Sequence, residues 1–236
     1  MLLIKGGVKL HDGHRDRLRK KFVLGGIDGW PHHEVLELLL FYAIARRNTN
    51  DIAHRLIEKF GSFNGVFEAP LAVLKDVDGI GESTAIFLKL ISAVARIYAE
   101  SRNSCNDSTS LENLYNSIAL KFIGRTEEVV VLTLLDAKSK VLFSDVINKG
   151  SVNSVDLYVR KIIELVAMYN ASSVVLAHNH PSGVAVPSKE DLISTEHIKN
   201  LLRNMHVNLL DHLIIADKDY ISIRESLMAF DEELED

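Results

Sequence analysis

Residues 176 to 192 read LAHNHPSGVAVPSKEDL, in which two histidines, a serine and an aspartate stand at short fixed spacings. On an extended strand side chains alternate between faces, so His178 and His180 project from one side, about 6.5 to 7 Å apart along the chain, with Asn179 on the other. Two imidazoles placed this way reach one metal ion. Pro187, Ser188 and Asp191 read as the start of a helix, because Ser at the N-cap with Asp three residues on forms a capping box. The box accounts for Ser188 and Asp191 but not for the histidines. Those end an apolar run, where imidazole is costly to desolvate unless something binds it. If the helix start faces the strand end, the Asp191 carboxylate joins the same ion. Two nitrogens, one oxygen and a vacant fourth position form the open set of a catalytic zinc, whereas structural zinc is closed by four protein ligands. The same donors would accept iron or another divalent ion. Hydrolysis at such an ion also needs a base to move protons, and a glutamate is the expected group.

The apolar pattern gives the strands and helices that carry these residues. SSVVLA is a short buried run that reads as a strand leading into His178, and KEDLISTEHIKNLLRN reads as the helix after Ser188. EEVVVLTLLD and KVLFSDVINKG, rich in β-branched residues and joined by the polar AKSK, read as a hairpin. VDLYVRKIIELVAMYN reads as a helix, and HLIIAD and YISIRE as two further strands. The C-terminal half is therefore an α/β domain, with DEELED as a frayed acidic tail. His212, just before an apolar run, reads as a satisfied core residue, with ligand orientation as the alternative. His197 and His206, on or just after a charged helix, read as solvated.

His-x-His, seven residues, then Ser-x-x-Asp matches in spacing the signature of the JAMM (MPN+) metallopeptidases, and the chain resembles them at His178, His180, Ser188 and Asp191. More narrowly, LAHNHPSG, PSKED and LLDHLII resemble the bacterial RadC family, also called UPF0758, over nearly the whole chain. The resemblance implies a JAMM/MPN-like α/β (α+β) domain over 111–236. It further implies a zinc-dependent hydrolase of an amide, peptide or isopeptide, with one Zn2+ held by His178, His180 and Asp191 and a water as fourth ligand. It implies a general base at Glu128, from the family strand E-x-F-x-x-x-x-x-D, here EVVVLTLLD with Val130 in place of the usual aromatic. It implies Ser188 as hydrogen-bond donor to the oxyanion, a role worth about 3 kcal/mol. The family's HPRE is YVRK here, at Tyr158 to Lys161, which removes a competing acidic candidate. The letters HNH do not make an HNH nuclease, whose three residues are spread over two strands and a helix.

Residues 1–104 read as an all-helical domain, from HRDRLRKKF through PHHEVLELLLFYAI, NDIAHRLIEKFG and PLAVLKDV to ESTAIFLKLISAVARIYAE. The polar SRNSCNDSTS separates it from the C-terminal half, with the boundary near residue 105. Gly79-Ile80-Gly81 between two helical stretches resembles a helix-hairpin-helix, whose turn amides bind a nucleic-acid phosphate without reading sequence. This sets up the alternative function: a DNA-associated accessory protein binding non-specifically through residues 75–89, with a structural or vestigial metal site. Asp76, Asp78 and Glu82 around the turn oppose it, while Lys75 and Lys89 favour it. The net charge of −5 hides 15 basic and 12 acidic residues up to position 105, against 12 basic and 20 acidic beyond it, so only the first half tolerates a polyanion. With 47% hydrophobic and 25% charged residues the chain is of the globular class, not the disordered one. Cys105, the one cysteine, excludes an internal disulfide and a thiolate zinc cage. No apolar run reaches the roughly 18 to 20 residues of a membrane span and MLLI is too short for a signal peptide, so a cytoplasmic protein is expected.

Overall fold

The computed structural model describes residues 13–45, 47–103, 110–150, 155–181, 183–216 and 219–226. Cys105 and the DEELED tail lie outside them. The chain divides into two compact units between Ser92 and Ala93.

The first unit is helical: α1 (His14–Gly25), α2 (His32–Ala43), α3 (Thr49–Phe60), α4 (Phe63–Glu68), α5 (Leu71–Lys75) and the start of α6 (Glu82–Asn103). Leu36 and Leu40 of α2 and Ile52 and Leu56 of α3, spaced one helical turn apart, fill its core together with Leu74 and Leu88. α3 opens at Asn48, whose side chain accepts from the Asn50 N–H at 3.1 Å. α4, absent from the sequence reading, opens at Ser62, whose Oγ accepts from the Gly65 N–H at 2.9 Å. Six residues are too few to show a helical period. Between α5 and α6 the chain turns at Gly79, in the left-handed region at φ +94°, where a Cβ would lie 2.7 Å from Ile52 Cδ1. Both backbone sign and close approach demand glycine there.

The second unit is an α/β layer structure. After α7 (Leu111–Ala119) come β1 (Val129–Leu135), β2 (Val141–Lys149), α8 (Val155–Tyr169), β3 (Ser173–Asn179), α9 (Lys189–Asn204), β4 (Asn208–Ala216) and β5 (Asp219–Ser222). The sheet order is β2-β1-β3-β4-β5, with β3 at the centre, antiparallel to β1 and parallel to β4. The parallel pair requires a crossover, which α9 provides. Because β3 is covered on both sides, its alternation sorts apolar residues into two layers and not into core and solvent. Val174 and Leu176 join Ile162 and Val166 of α8 and Ile198 and Leu202 of α9, while Val175 and Ala177 join Leu114 and Ile118 of α7. The expected strands and helices of this half are present, with two differences at the edges. β4 starts four residues before His212, and the segment read as the strand YISIRE is a strand only to Ser222, after which residues 223–226 are helical. Among the described residues no helix is long and apolar enough to cross a membrane.

Candidate metal centre

His178 is the last residue of the α8/α9 layer of β3, following Val174 and Leu176 at the strand period of two. α9 packs on that same layer through Ile198 and Leu202, and as a crossover helix it begins at the end of the sheet where β3 finishes. Its first turn therefore faces the histidines, as expected for the carboxyl ends of parallel strands. His178 Nε2 lies 2.9 Å from His180 Nε2 and 3.1 Å from Asp191 Oδ1, and His180 Nε2 lies 3.4 Å from Asp191 Oδ2. The three residues form one group able to hold an ion. Ligands at about 2.0 to 2.1 Å around a tetrahedral ion would be about 3.3 Å from one another, so these separations suit one.

The donor chemistry fits as well. His180 Nδ1 is 3.1 Å from the Val184 carbonyl, which only accepts, so Nδ1 carries the proton and Nε2 presents its lone pair to the cluster. The Asp191 carboxylate divides its work. Oδ2 accepts from the Ser188 N–H at 2.8 Å and from Ser188 Oγ at 2.6 Å, while Oδ1 turns to His178. Ser188 Oγ in return accepts from the Asp191 N–H at 3.1 Å, closing the capping box. The carboxylate is thus anchored by the helix start without being used up by it. Burial alone would push the Asp191 carboxyl up. The hydrogen bond from His178 and those from the Ser188 hydroxyl and backbone N–H outweigh it, and hold the group well below the usual carboxylate range. The His180 side chain is 20% exposed against 3% for His178 and 6% for Asp191, so the cluster opens to solvent on the His180 side.

Glu128 precedes β1. Two residues on, Val130 pairs with His178 at the end of the β1–β3 ladder. The start of β1 is fixed by Asn179, whose Oδ1 accepts from the Val129 N–H at 2.8 Å and whose Nδ2 donates to the Glu127 carbonyl at 3.1 Å. The Glu128 carbonyl accepts from the Gly150 N–H at 2.8 Å. The backbone on either side of Glu128 is therefore clamped to β3 and β2, a role for Asn179 that sequence reading missed. An amide between two candidate ligand histidines at the end of a central strand was the available signal.

His212, read from the sequence as a satisfied core residue with ligand orientation as the alternative, lies against the cluster. It stands beside Leu176 in the parallel ladder and so shares the face of His178. Its Nε2 lies 2.8 Å from His178 Nδ1 and its Nδ1 lies 2.6 Å from Thr195 Oγ1. Burial first, then the neighbouring His178, lower its pKa to about 3, against a weaker pull upward from Asp191. Rather than a mere core residue, it touches a candidate ligand directly. The adjacent Asp211 serves the other face, where Oδ2 accepts from Tyr115 Oη at 2.8 Å and Ser222 Oγ at 2.6 Å.

In the first unit, Lys75 lies 3.9 Å from Glu82, and Lys89 Nζ donates to the Phe67 carbonyl at 2.6 Å and the Ala69 carbonyl at 3.2 Å. Both cations of residues 75–89 already have partners, and burial lowers the Lys89 pKa against the pull of Glu68.

Residues 108–228 match the family model described as RadC-like JAB domain. A UPF0758 protein of Fusobacterium nucleatum is 36% identical over 225 residues, covering 92% of this chain and 97% of that one. A UPF0758 protein of Ruegeria pomeroyi is 34% identical over 212 residues, covering 89% and 95%. Another, from Rhodobacter capsulatus, is 34% identical over 208 residues, covering 88% and 97%. With both the domain match and near full-length relatives behind it, the chain belongs to the RadC (UPF0758) family and carries its JAB-like domain.

Proposed function

We propose that the chain is a zinc-dependent hydrolase of the JAMM metallopeptidase type, acting on an amide of a peptide or protein. The observation that carries this reading is the convergence of His178 Nε2, His180 Nε2 and Asp191 Oδ1 at a solvent-facing strand end, three atoms able to ligate one ion where β3 ends and α9 begins. Those residues would hold the ion, which when bound supplies Lewis acidity toward a carbonyl oxygen and acidifies water. Asp191 contributes charge and, through its anchored Oδ2, a fixed direction. Glu128, two residues before the Val130–His178 pair and held through its neighbours by Asn179, is the base that takes the proton from water and returns it to the leaving nitrogen. Ser188 has one hydroxyl proton, which rests on Asp191 Oδ2. To steady an oxyanion it turns that proton to the substrate, while its backbone N–H keeps Oδ2 in place.

Glu128→Gln tests the assignment. The variant keeps the metal content of the native chain and loses activity on an amide substrate by about 100-fold or more. Loss of the metal together with activity would make Glu128 a ligand or a structural residue, and unchanged activity would remove it from the reaction.

A further inference from the structure

We propose that Thr195 and His212 are positioning residues that keep the His178 proton on Nδ1 and thereby leave Nε2 as its ligand atom; this rests on the metal reading above. One buried chain of polar groups runs from a backbone atom of one ligand to the ring of another. Thr195 Oγ1 lies 2.6 Å from the Asp191 carbonyl oxygen and 2.6 Å from His212 Nδ1, and His212 Nε2 lies 2.8 Å from His178 Nδ1. All of these residues are buried.

Hydrogen counting fixes every proton in this chain. A carbonyl oxygen only accepts, so at 2.6 Å the single hydroxyl proton of Thr195 points to Asp191. The Thr195 oxygen is then an acceptor toward His212, whose Nδ1 must carry a hydrogen. A second proton on His212 would create a buried cation between a hydroxyl oxygen and an imidazole, a costly arrangement. His212 Nε2 is therefore bare and accepts from His178 Nδ1–H. With Nδ1 occupied in this way, Nε2, which faces His180 and Asp191, is the one His178 nitrogen left to hold an ion.

An apolar role does not explain this chain. The surrounding layer is Val174, Leu176, Ile198 and Leu202, in which three linked polar side chains are costly unless each bond is made. A metal-bound histidine commonly donates its far N–H to a carboxylate, carbonyl or water. Here a neutral imidazole takes that place, and the hydroxyl behind it ends on the backbone of Asp191. The first turns of α9 thus supply one ligand directly and orient a second through Thr195. A shift of α9 would disturb both together.

The experiment uses the full chain, 15N-labelled at histidine, without metal and with zinc added, and reads which ring nitrogens carry protons. The expected result is His212 protonated on Nδ1 and bare on Nε2, with a proton on His178 Nδ1, in both states. A proton on His212 Nε2, or a bare His178 Nδ1 in zinc-free protein, overturns the proposal. Thr195→Val is expected to move the His212 proton to Nε2 and weaken zinc binding by about 10- to 100-fold, while Thr195→Ser restores both. Unchanged zinc affinity in Thr195→Val also overturns it. If Thr195→Val does not fold, the native spectra decide alone. Failure of the native chain to take up zinc would remove the metal reading, while the zinc-free spectra would still test the proton positions.

Discussion

Asp191 serves two purposes that substitution can separate. Its Oδ2 holds the start of α9 through both donors of Ser188, and its Oδ1 faces His178. Asp191→Asn retains a carbonyl oxygen for the Ser188 N–H but loses the charge that strengthens the bonds from Ser188 Oγ and His178. Charge-assisted bonds contribute about 1.5–3 kcal/mol against about 0.5–1.5 for neutral ones, so in zinc-free protein this variant is destabilised by about 1–2 kcal/mol. Asp191→Ala also removes the reciprocal half of the capping box, adding about 1 kcal/mol. Zinc gives the opposite contrast, since neither variant keeps an anionic ligand. At a zinc concentration of about 100 times Kd the native chain gains about 2.7 kcal/mol, and its Tm rises by about 5–11 °C at this chain length. Urea unfolding with chelator present gives the first quantity and thermal melts with and without zinc give the second. Equal destabilisation of the two variants would refute the divided carboxylate. A zinc-induced rise in either variant as large as the native one would refute Asp191 as a ligand.

Other contacts carry their own expected outcomes. The pKa of His212 falls from 6.5 in the unfolded chain to about 3 in the folded one, so between those values the unfolded state binds the extra proton. Zinc-free protein should therefore lose stability as pH drops below about 6.5, at up to about 1.4 kcal/mol per pH unit from this group, and His212→Gln should flatten the urea midpoint between pH 7 and 5. Asp191, held below the usual carboxylate range, acts in the same direction only at still lower pH, as its carboxylate takes up a proton. A pH-independent midpoint in the native chain would contradict a buried neutral His212. Gly79→Ala combines a left-handed φ with a contact on Ile52 and should destabilise the helical unit by about 1–3 kcal/mol, whereas Gly81→Ala, with open space around its Cβ, should be near neutral by the same urea assay.

The C-terminal fold was legible because its strands carry strong local signals: β-branched runs, a polar turn at AKSK and the Ser188–Asp191 box at the start of α9. The candidate ligand group was legible for the same reason, since both histidines lie at the end of one short strand and the acid is tied to a local motif. What sequence concealed depends on register. Nothing local to LLDHLII says that position 212 pairs beside 176 and so shares a face with His178. Thr195, in mid-helix among charged residues, gives no sign that its hydroxyl meets His212. Asn179 was placed on the correct side of the strand, yet its hold on Val129 and Glu127 needed the β1–β3 pairing to be seen. The short α4 escaped because a helix of under two turns has no period to read.

Metal content of the purified full chain, after dialysis against limiting zinc and measured beside His178→Ala and Asp191→Ala, tests the central claim most directly. One zinc per native chain, with near-complete loss in both variants at unchanged secondary structure, is the predicted result. Stoichiometric zinc in all three proteins would place the ion elsewhere and contradict the account.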